Sequence, residues 1–261
     1  MDKITTILVP FDSSDFSKTA LEYAVEFTGK DDPIELLLVS VADGNSLTGI
    51  ESAFEVAKKK YADRLKTPLQ WVSGKGQLTD TLMKIRDEKK ADLVIMGTSG
   101  LSGDPYKEHS KTSKFVLEAR CPVIVVPPDA GEFQIKNIAM VLGKEEIDDR
   151  QALETLLEVS RRFAAKVHVL TIENSPELYG YGSSDEKNEN LLAYYLEHFY
   201  SEHTFIENDD VVQGILAYSA SKEFDLIAIL PRNHTKKSDP SEGRLTQMLT
   251  LESKIPILAI D

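Results

Sequence analysis

The 261-residue chain is poor in several things, and each shortage excludes a class of protein. It has one cysteine, Cys121, so an intramolecular disulfide framework and a cysteine-built structural zinc site are excluded. No stretch approaches the roughly 18 consecutive apolar residues of a membrane-spanning helix. The opening MDKITTILVPFD carries only a short apolar run ending at Pro10, unlike a secretory leader. Basic residues are in deficit: 30 Lys and Arg stand against 43 Asp and Glu, a formal net charge of −13. A general nucleic-acid binder usually shows a basic domain or stripe, and an anionic membrane surface attracts basic segments. The expectation is therefore a soluble cytoplasmic protein with neither nucleic-acid nor membrane partners. Sequence motifs are missing too. There is no G-x-x-x-x-G-K-[ST], no G-x-G-x-x-G after the first strand and no G-x-S-x-G elbow, which removes the main support for P-loop, conventional dinucleotide-binding and α/β-hydrolase readings.

What is present repeats itself. Ile7-Leu8-Val9 resembles Ile138-Ala139-Met140, and Ala20-Leu21 resembles Ala152-Leu153. Asp92-Leu93-Val94-Ile95 resembles Asp225-Leu226-Ile227-Ala228, and Cys121-Pro122-Val123-Ile124-Val125 resembles Ile255-Pro256-Ile257-Leu258-Ala259. The four pairs occur in the same order, with the offset growing from 131 to 134 residues. This pattern is that of a duplicated domain with small insertions in the second copy. The seam falls near Pro127-Pro128-Asp129-Ala130-Gly131, a breaker-rich stretch. The expected domains are 1–129 and 134–261. Divided after Gly131, the first part has a net charge of −3 and the second −10, so an anionic ligand would favour the first.

Each half alternates short apolar runs with helical patterns. In the first, strands are predicted at Thr6–Val9, Leu36–Val41, Pro68–Val72, Leu93–Met96 and Val123–Val126. Helices are predicted at Ser17–Thr28, Ser52–Leu65, Thr79–Lys89 and Lys111–Ala119, the first capped by Asp15 or Ser17. Continuous apolar strands such as LVIM and VIVV suit a parallel sheet covered on both faces. Alternation of strand and helix predicts a doubly wound α/β domain with right-handed crossovers. Ligands of such sheets sit outside the carboxyl ends of the strands, near a topological switch point. Those ends are Pro10-Phe11-Asp12, Val41-Ala42-Asp43 and Gly97-Thr98-Ser99-Gly100.

The strongest local signal is MGTSGLSG, residues 96–103, where three glycines follow a buried strand. Such a turn can bring backbone N–H groups up to a phosphate. It also occurs as a plain tight strand exit, and the turn by itself leaves both readings open. No constellation for catalysis stands out. His198 and His203 are five apart, not the four of a helical metal pair, and are read as surface residues. Cys121 is read as a small buried hydrophobe. The segment Leu191-Leu192 to Phe199 is read as an amphipathic helix packed on the second sheet.

ILVPFDSSDFSKTALEYA, the Asp92–Gly103 strand and turn, and CPVIVVP together resemble the universal stress protein family. The resemblance spans nearly the whole chain as a tandem two-domain member. It implies two tandem copies of a doubly wound five-stranded parallel-sheet domain, Rossmann-like and akin to the adenine nucleotide alpha-hydrolase fold. Some members of this family bind ATP and others do not. By that resemblance Pro10, Asp12, Val41, Met96 and Gly97 would hold adenine and ribose, Asp12 as acceptor for ribose hydroxyls. Gly100 and Ser110 would approach phosphates, with Thr112 a nearby hydroxyl. The cofactor implied is ATP, with Mg²⁺, or AMP.

The chain departs from the nucleotide-binding pattern G-x2-G-x9-G-[ST]. Gly97 and Gly100 supply the first two glycines. The third falls on His109 or, with nine residues counted, on Ser110. The loop is short, holds Pro105, and carries Asp104 and Glu108 beside Lys107, Lys111 and Lys114. It is expected to close over or distort a triphosphate pocket, leaving little preference for triphosphate over AMP. In the second half Val141, Gly143, Leu230 and Asn233 replace Pro10, Asp12, Gly97 and Gly100, so the motif is lost. The expected function is that of a non-enzymatic stress-response protein with weakened adenine-nucleotide binding in its first domain. The alternative is an interaction protein on the same scaffold, without nucleotide and with an unspecified protein partner. Pairing of the last strands, Val123–Val126 with Ile257–Ile260, would make an intramolecular pseudo-dimer; a homodimer is the other arrangement the family implies.

Overall fold

A computed structural model describes residues 3–42, 48–100, 111–143, 145–147, 152–174, 180–231 and 242–260. The chain divides into two compact units, Asp2–Phe133 and Gln134–Asp261. The first reaches past the Pro-rich stretch because Phe133 packs its ring edge-on against Tyr23, with centroids 4.8 Å apart.

The first unit runs β1 (Thr6–Pro10), α1 (Asp15–Thr28), β2 (Glu35–Ala42), α2 (Thr48–Tyr61), β3 (Gln70–Lys75), α3 (Leu78–Lys89), β4 (Leu93–Gly97), α4 (Lys111–Glu118) and β5 (Val123–Val126). Its strands are all parallel and lie in the order β3-β2-β1-β4-β5. The second unit runs β6 (Asn137–Val141), α5 (Ala152–Phe163), β7 (Lys166–Glu173), α6 (Ser183–Leu196), β8 (Tyr200–Glu207), α7 (Val211–Ser221), β9 (Leu226–Ile229), α8 (Glu242–Glu252) and β10 (Ile257–Ala259). Its order, β8-β7-β6-β9-β10, is the same arrangement strand for strand, again all parallel. The central strands are buried along their length, as parallel strands covered on both faces must be: Ile7, Leu8, Leu36, Leu38, Val94 and Ile95 are all fully buried.

Local chemistry explains where the elements begin and end. α1 starts at Asp15, two residues before the expected Ser17, because Ser14 is the cap and accepts from the Ser17 N–H at 3.3 Å. It ends at Gly29, whose φ of +68° turns the chain while its N–H returns to the Val25 carbonyl. β3 runs on to Lys75 instead of stopping at Val72. A Cβ on Gly74 would lie 2.2 Å from Thr81 Cγ2, so the glycine lets the strand pass directly under α3. Cys121 is buried, as expected of a small hydrophobe.

α1 and α2 are joined by a polar tie. Glu22 accepts from Lys60 Nζ at 2.8 Å and from Tyr61 Oη at 2.6 Å, and Arg64 bridges Glu22 and Glu26. Partial burial opposes the Glu22 charge, but the hydrogen bonds from Lys60, Tyr61 and Arg64 outweigh it and take its carboxyl down to about 2. A depressed carboxylate stabilises the fold above its unfolded value, 4.5, and that contribution is lost as pH falls toward about 2. The Glu22 side chain is 40% exposed, so solvent screening reduces the effect to about 1 kcal/mol. Denaturation midpoints between pH 5 and pH 2 should fall more steeply for the wild type than for Glu22→Gln. Parallel curves would remove Glu22 from the acid response.

Candidate nucleotide site

In the first unit the chain steps from β1 to β2 and β3 on one side, then crosses to β4 and β5 on the other. The switch point thus lies between β1 and β4, and it is at the carboxyl ends beside such a point that doubly wound sheets take their ligands. The register places Pro10 opposite Val39 and Leu8 opposite Val94. Alternation by two then puts Pro10, Val41 and Met96 on one face of the sheet. Met96 is buried, and Pro10 and Val41 are half-buried. Val41 pairs with Gly74, whose missing Cβ faces Thr81 and Ile85, so this is the face that α3 covers.

Asp12 stands just beyond β1, exposed. Its Oδ1 accepts from the Ser14 N–H at 3.0 Å and from the Ser14 hydroxyl. Burial works against its charge, yet hydrogen bonds from Ser14 and Ser17 outweigh that and lower its carboxyl below the ordinary value. It is therefore an ionised acceptor over the whole neutral range. Between Asp12 and Ser14, Ser13 has φ +62°, a left-handed conformation uncommon for a residue with a side chain. Strain of this kind clusters at ligand-binding loops.

Gly97 has a role beyond admitting a ligand. A Cβ there would lie 2.2 Å from the Phe16 carbonyl oxygen, because the first turn of α1 crosses directly over the end of β4. The Gly97 carbonyl accepts from Thr112 Oγ1 at 2.9 Å, which anchors the start of α4 to the end of β4. Gly100 adopts φ +61°, and its N–H donates to Thr98 Oγ1 at 3.3 Å. Met96, Gly97, Gly100 and Thr112 are thus gathered at one end of β4. The Thr112 hydroxyl, expected near a phosphate, is spent on a backbone carbonyl. Ser110, with His109 and the rest of 101–110, lies outside the described residues. Ser13, Ser14 and Phe16 were not singled out from the sequence. The Asp-Ser-Ser triplet before the helix is the one local sign of them.

The matching positions of the second unit carry buried apolar side chains. Val141, Leu142, Ile172 and Leu230 are each no more than 9% exposed. Among the described residues no group of three or more His, Cys, Asp or Glu is placed to hold a metal ion, and no helix is long and apolar enough to cross a membrane.

Two units with one order of parallel strands, the first with a glycine turn and an ionised Asp at its switch point, define a tandem Rossmann-like α/β protein. Comparison with known proteins narrows the class. A profile of the Universal stress protein family matches residues 3–127. A universal stress protein of Synechocystis sp. is 30% identical over 134 residues, covering 47% of this chain and 85% of that protein. One of Methanocaldococcus jannaschii is 26% identical over 137 residues, covering 46% of this chain and 80% of that protein. The crystal structure of a universal stress protein from Archaeoglobus fulgidus has the same fold over 99% of this chain and 97% of its own, with a TM-score of 0.68 at 16% identity. The chain belongs to the universal stress protein family, as a tandem member.

Proposed function

We propose that the first unit binds an adenine nucleotide, ATP or AMP, in the crevice between β1 and β4, and that the protein serves a stress response by binding rather than by catalysis. The observation that carries this reading is the placement of Asp12 across the switch point from the Gly97–Gly100 turn, with Pro10, Val41 and Met96 on one face beside them. Asp12, kept ionised by Ser14 and Ser17, would accept the ribose hydroxyls. Val41 and Met96 supply the apolar wall that a base requires. The residues fit a nucleoside better than a polyphosphate, since Thr112 is committed to Gly97 and the third glycine of the family pattern is absent. Mg²⁺ would accompany ATP only.

One observation favours a second role for the other half. Buried apolar Val141, Ile172 and Leu230 stand there at the positions of Pro10, Val41 and Gly97, which supports a protein-interaction module on the duplicated scaffold.

Titration calorimetry with ATP, ADP and AMP tests the first reading. AMP and ATP should bind with similar affinity, and Asp12→Ala should weaken both about tenfold, the scale of one lost hydrogen bond to a charged group. Equal affinity in wild type and variant would place any nucleotide elsewhere.

A further inference from the structure

The two units differ most informatively beneath the second helix of each. Ser40 and Thr171 are both the sixth residue of eight-residue strands, β2 and β7. Trp71 pairs with Leu38 and His203 with Val169, the fourth residues of the same strands, so Trp71 and His203 also correspond. Phe54 and Glu189 are each the seventh residue of a 14-residue helix, α2 and α6. In the first unit two of the three are aromatic: Phe54 stacks on Trp71 with centroids 5.9 Å apart. Among the described residues the Ser40 hydroxyl and the Trp71 indole N–H find no hydrogen-bond partner. In the second unit the same positions form a polar relay. His203 Nδ1 lies 3.0 Å from Glu189 Oε1, and its Nε2 lies 2.9 Å from Thr171 Oγ1. Tyr181 Oη donates to the other Glu189 oxygen at 2.7 Å. The His203 side chain is 2% exposed, so this is not the surface residue expected from its spacing. The cause is a β-bulge. Val167 pairs with Tyr200 but Val169 with His203, and the extra residue turns the imidazole inward.

We propose that His203 and Glu189 form a proton-operated clasp that sets how firmly α6 is held to the second sheet. A carboxylate only accepts, so Nδ1 carries a proton in either state. In the imidazolium both nitrogens donate, Nδ1 to Glu189 and Nε2 to Thr171. When the Nε2 proton leaves, the Thr171 hydroxyl reverses and donates to Nε2. The hydrogen bonds survive, but the positive charge opposite Glu189 is gone, and a charge-assisted pair becomes a weaker one. The other titratable groups on the packed elements are Lys166, His168 and Glu173 on β7, Tyr200, Glu202 and Glu207 on β8, Asp185, Glu186, Lys187, Tyr194 and Tyr195 on α6, and Tyr181 before it. The cations among them are engaged elsewhere, Lys187 with Glu146, Lys166 with the His198 carbonyl and His168 with Glu202, so none replaces the lost charge. Asp185 Oδ2 takes the Gly182 N–H at 2.8 Å, and burial together with Glu189 and Glu202 raises the Tyr200 phenol above its ordinary value. α6 also holds the segment after β6. Asn188 accepts from the Ile147 N–H at 2.9 Å and donates to the Glu145 carbonyl at 2.7 Å. Release of the clasp therefore loosens both α6 and residues 145–147, beyond the carboxyl end of the second sheet.

Amide hydrogen exchange of the full chain, corrected for intrinsic rates, tests this. Protection of α6 and of Ile147 should fall about fivefold between about pH 6 and about pH 8.5, the window in which imidazoles titrate. In His203→Gln and in Glu189→Gln the fall should vanish. A fall that persists in a folded His203→Gln overturns the proposal. A second measurement needs no variant: the ring ¹⁵N shifts of His203 in the wild type should pass from imidazolium to neutral over the same window, in step with α6 protection. A ring that keeps one state throughout, or one that titrates while α6 protection stays constant, also overturns it.

Discussion

Gly97→Ala is expected to lower the stability of the first unit by about 2–3 kcal/mol, the upper range for forcing a methyl group into a filled site. The added Cβ would sit 2.2 Å from the Phe16 carbonyl oxygen and 2.7 Å from its carbonyl carbon. Both are backbone atoms and cannot rotate aside. Either α1 lifts at its first turn or the end of β4 bends, and the Asp12-Ser13-Ser14 loop moves with α1. The variant should therefore lose the nucleotide affinity proposed for the first unit together with stability. Gly131→Ala is the control, since a Cβ there meets nothing within 4 Å. It should fall within about 0.5 kcal/mol of wild type in urea denaturation. If both variants unfold at the same urea concentration, the close crossing of α1 over β4 is not what the glycine serves.

Asp92→Ala and Asp225→Ala should each cost about 2 kcal/mol, by the same mechanism in the two units. Asp92 Oδ2 accepts from the Thr5 N–H at 2.8 Å, the Thr5 hydroxyl at 2.8 Å and the Thr6 N–H at 3.0 Å. Asp225 Oδ2 accepts from the Lys136 N–H at 2.7 Å and the Asn137 N–H at 2.9 Å. Each carboxylate, just before β4 or β9, closes the start of the neighbouring strand, β1 or β6. Charge-assisted bonds of this kind contribute about 1.5–3 kcal/mol together with the penalty of leaving donors unpaired, and the partial exposure of both sites lets water recover some of it. Asp92→Asn keeps an acceptor oxygen and should lose less than half as much. Denaturation midpoints of the four proteins check the ranking. An Asp92→Asn as unstable as Asp92→Ala would mean the charge, not the acceptor, is what counts.

These carboxylates also mark how far the sequence could be read. Asp92 and Asp225 were visible as a repeated landmark, and the repeat was legible through them. Their task was not, because their partners lie 87 and 89 residues away. Gly97 was legible as a turn glycine at the ligand end. Its contact with Phe16 depends on which helix crosses the strand, and no local signal carries that. Thr112 was legible from its place in a motif as a hydroxyl near the phosphates, but its bond to the Gly97 carbonyl, 15 residues away, was not.

The sequence by itself determined the α/β class, the duplication and the end of the sheet where a ligand would lie. Those follow from short-range rules: buried parallel strands are apolar throughout, helices are amphipathic at a period of 3.6, and strand exits carry glycine. It also determined that the second copy had lost the nucleotide motif, since Leu230 stands where Gly97 does. Tertiary structure alone decided which side chains meet. The α1 crossing that requires Gly97, the turn of His203 inward by a single extra residue in β8, and the pairing of His203 with Glu189 where the first unit sets Trp71 against Phe54 all join residues distant in the chain. Hydrogen bonds and steric contacts act over a few ångströms of space, and only the folded chain makes those distances short.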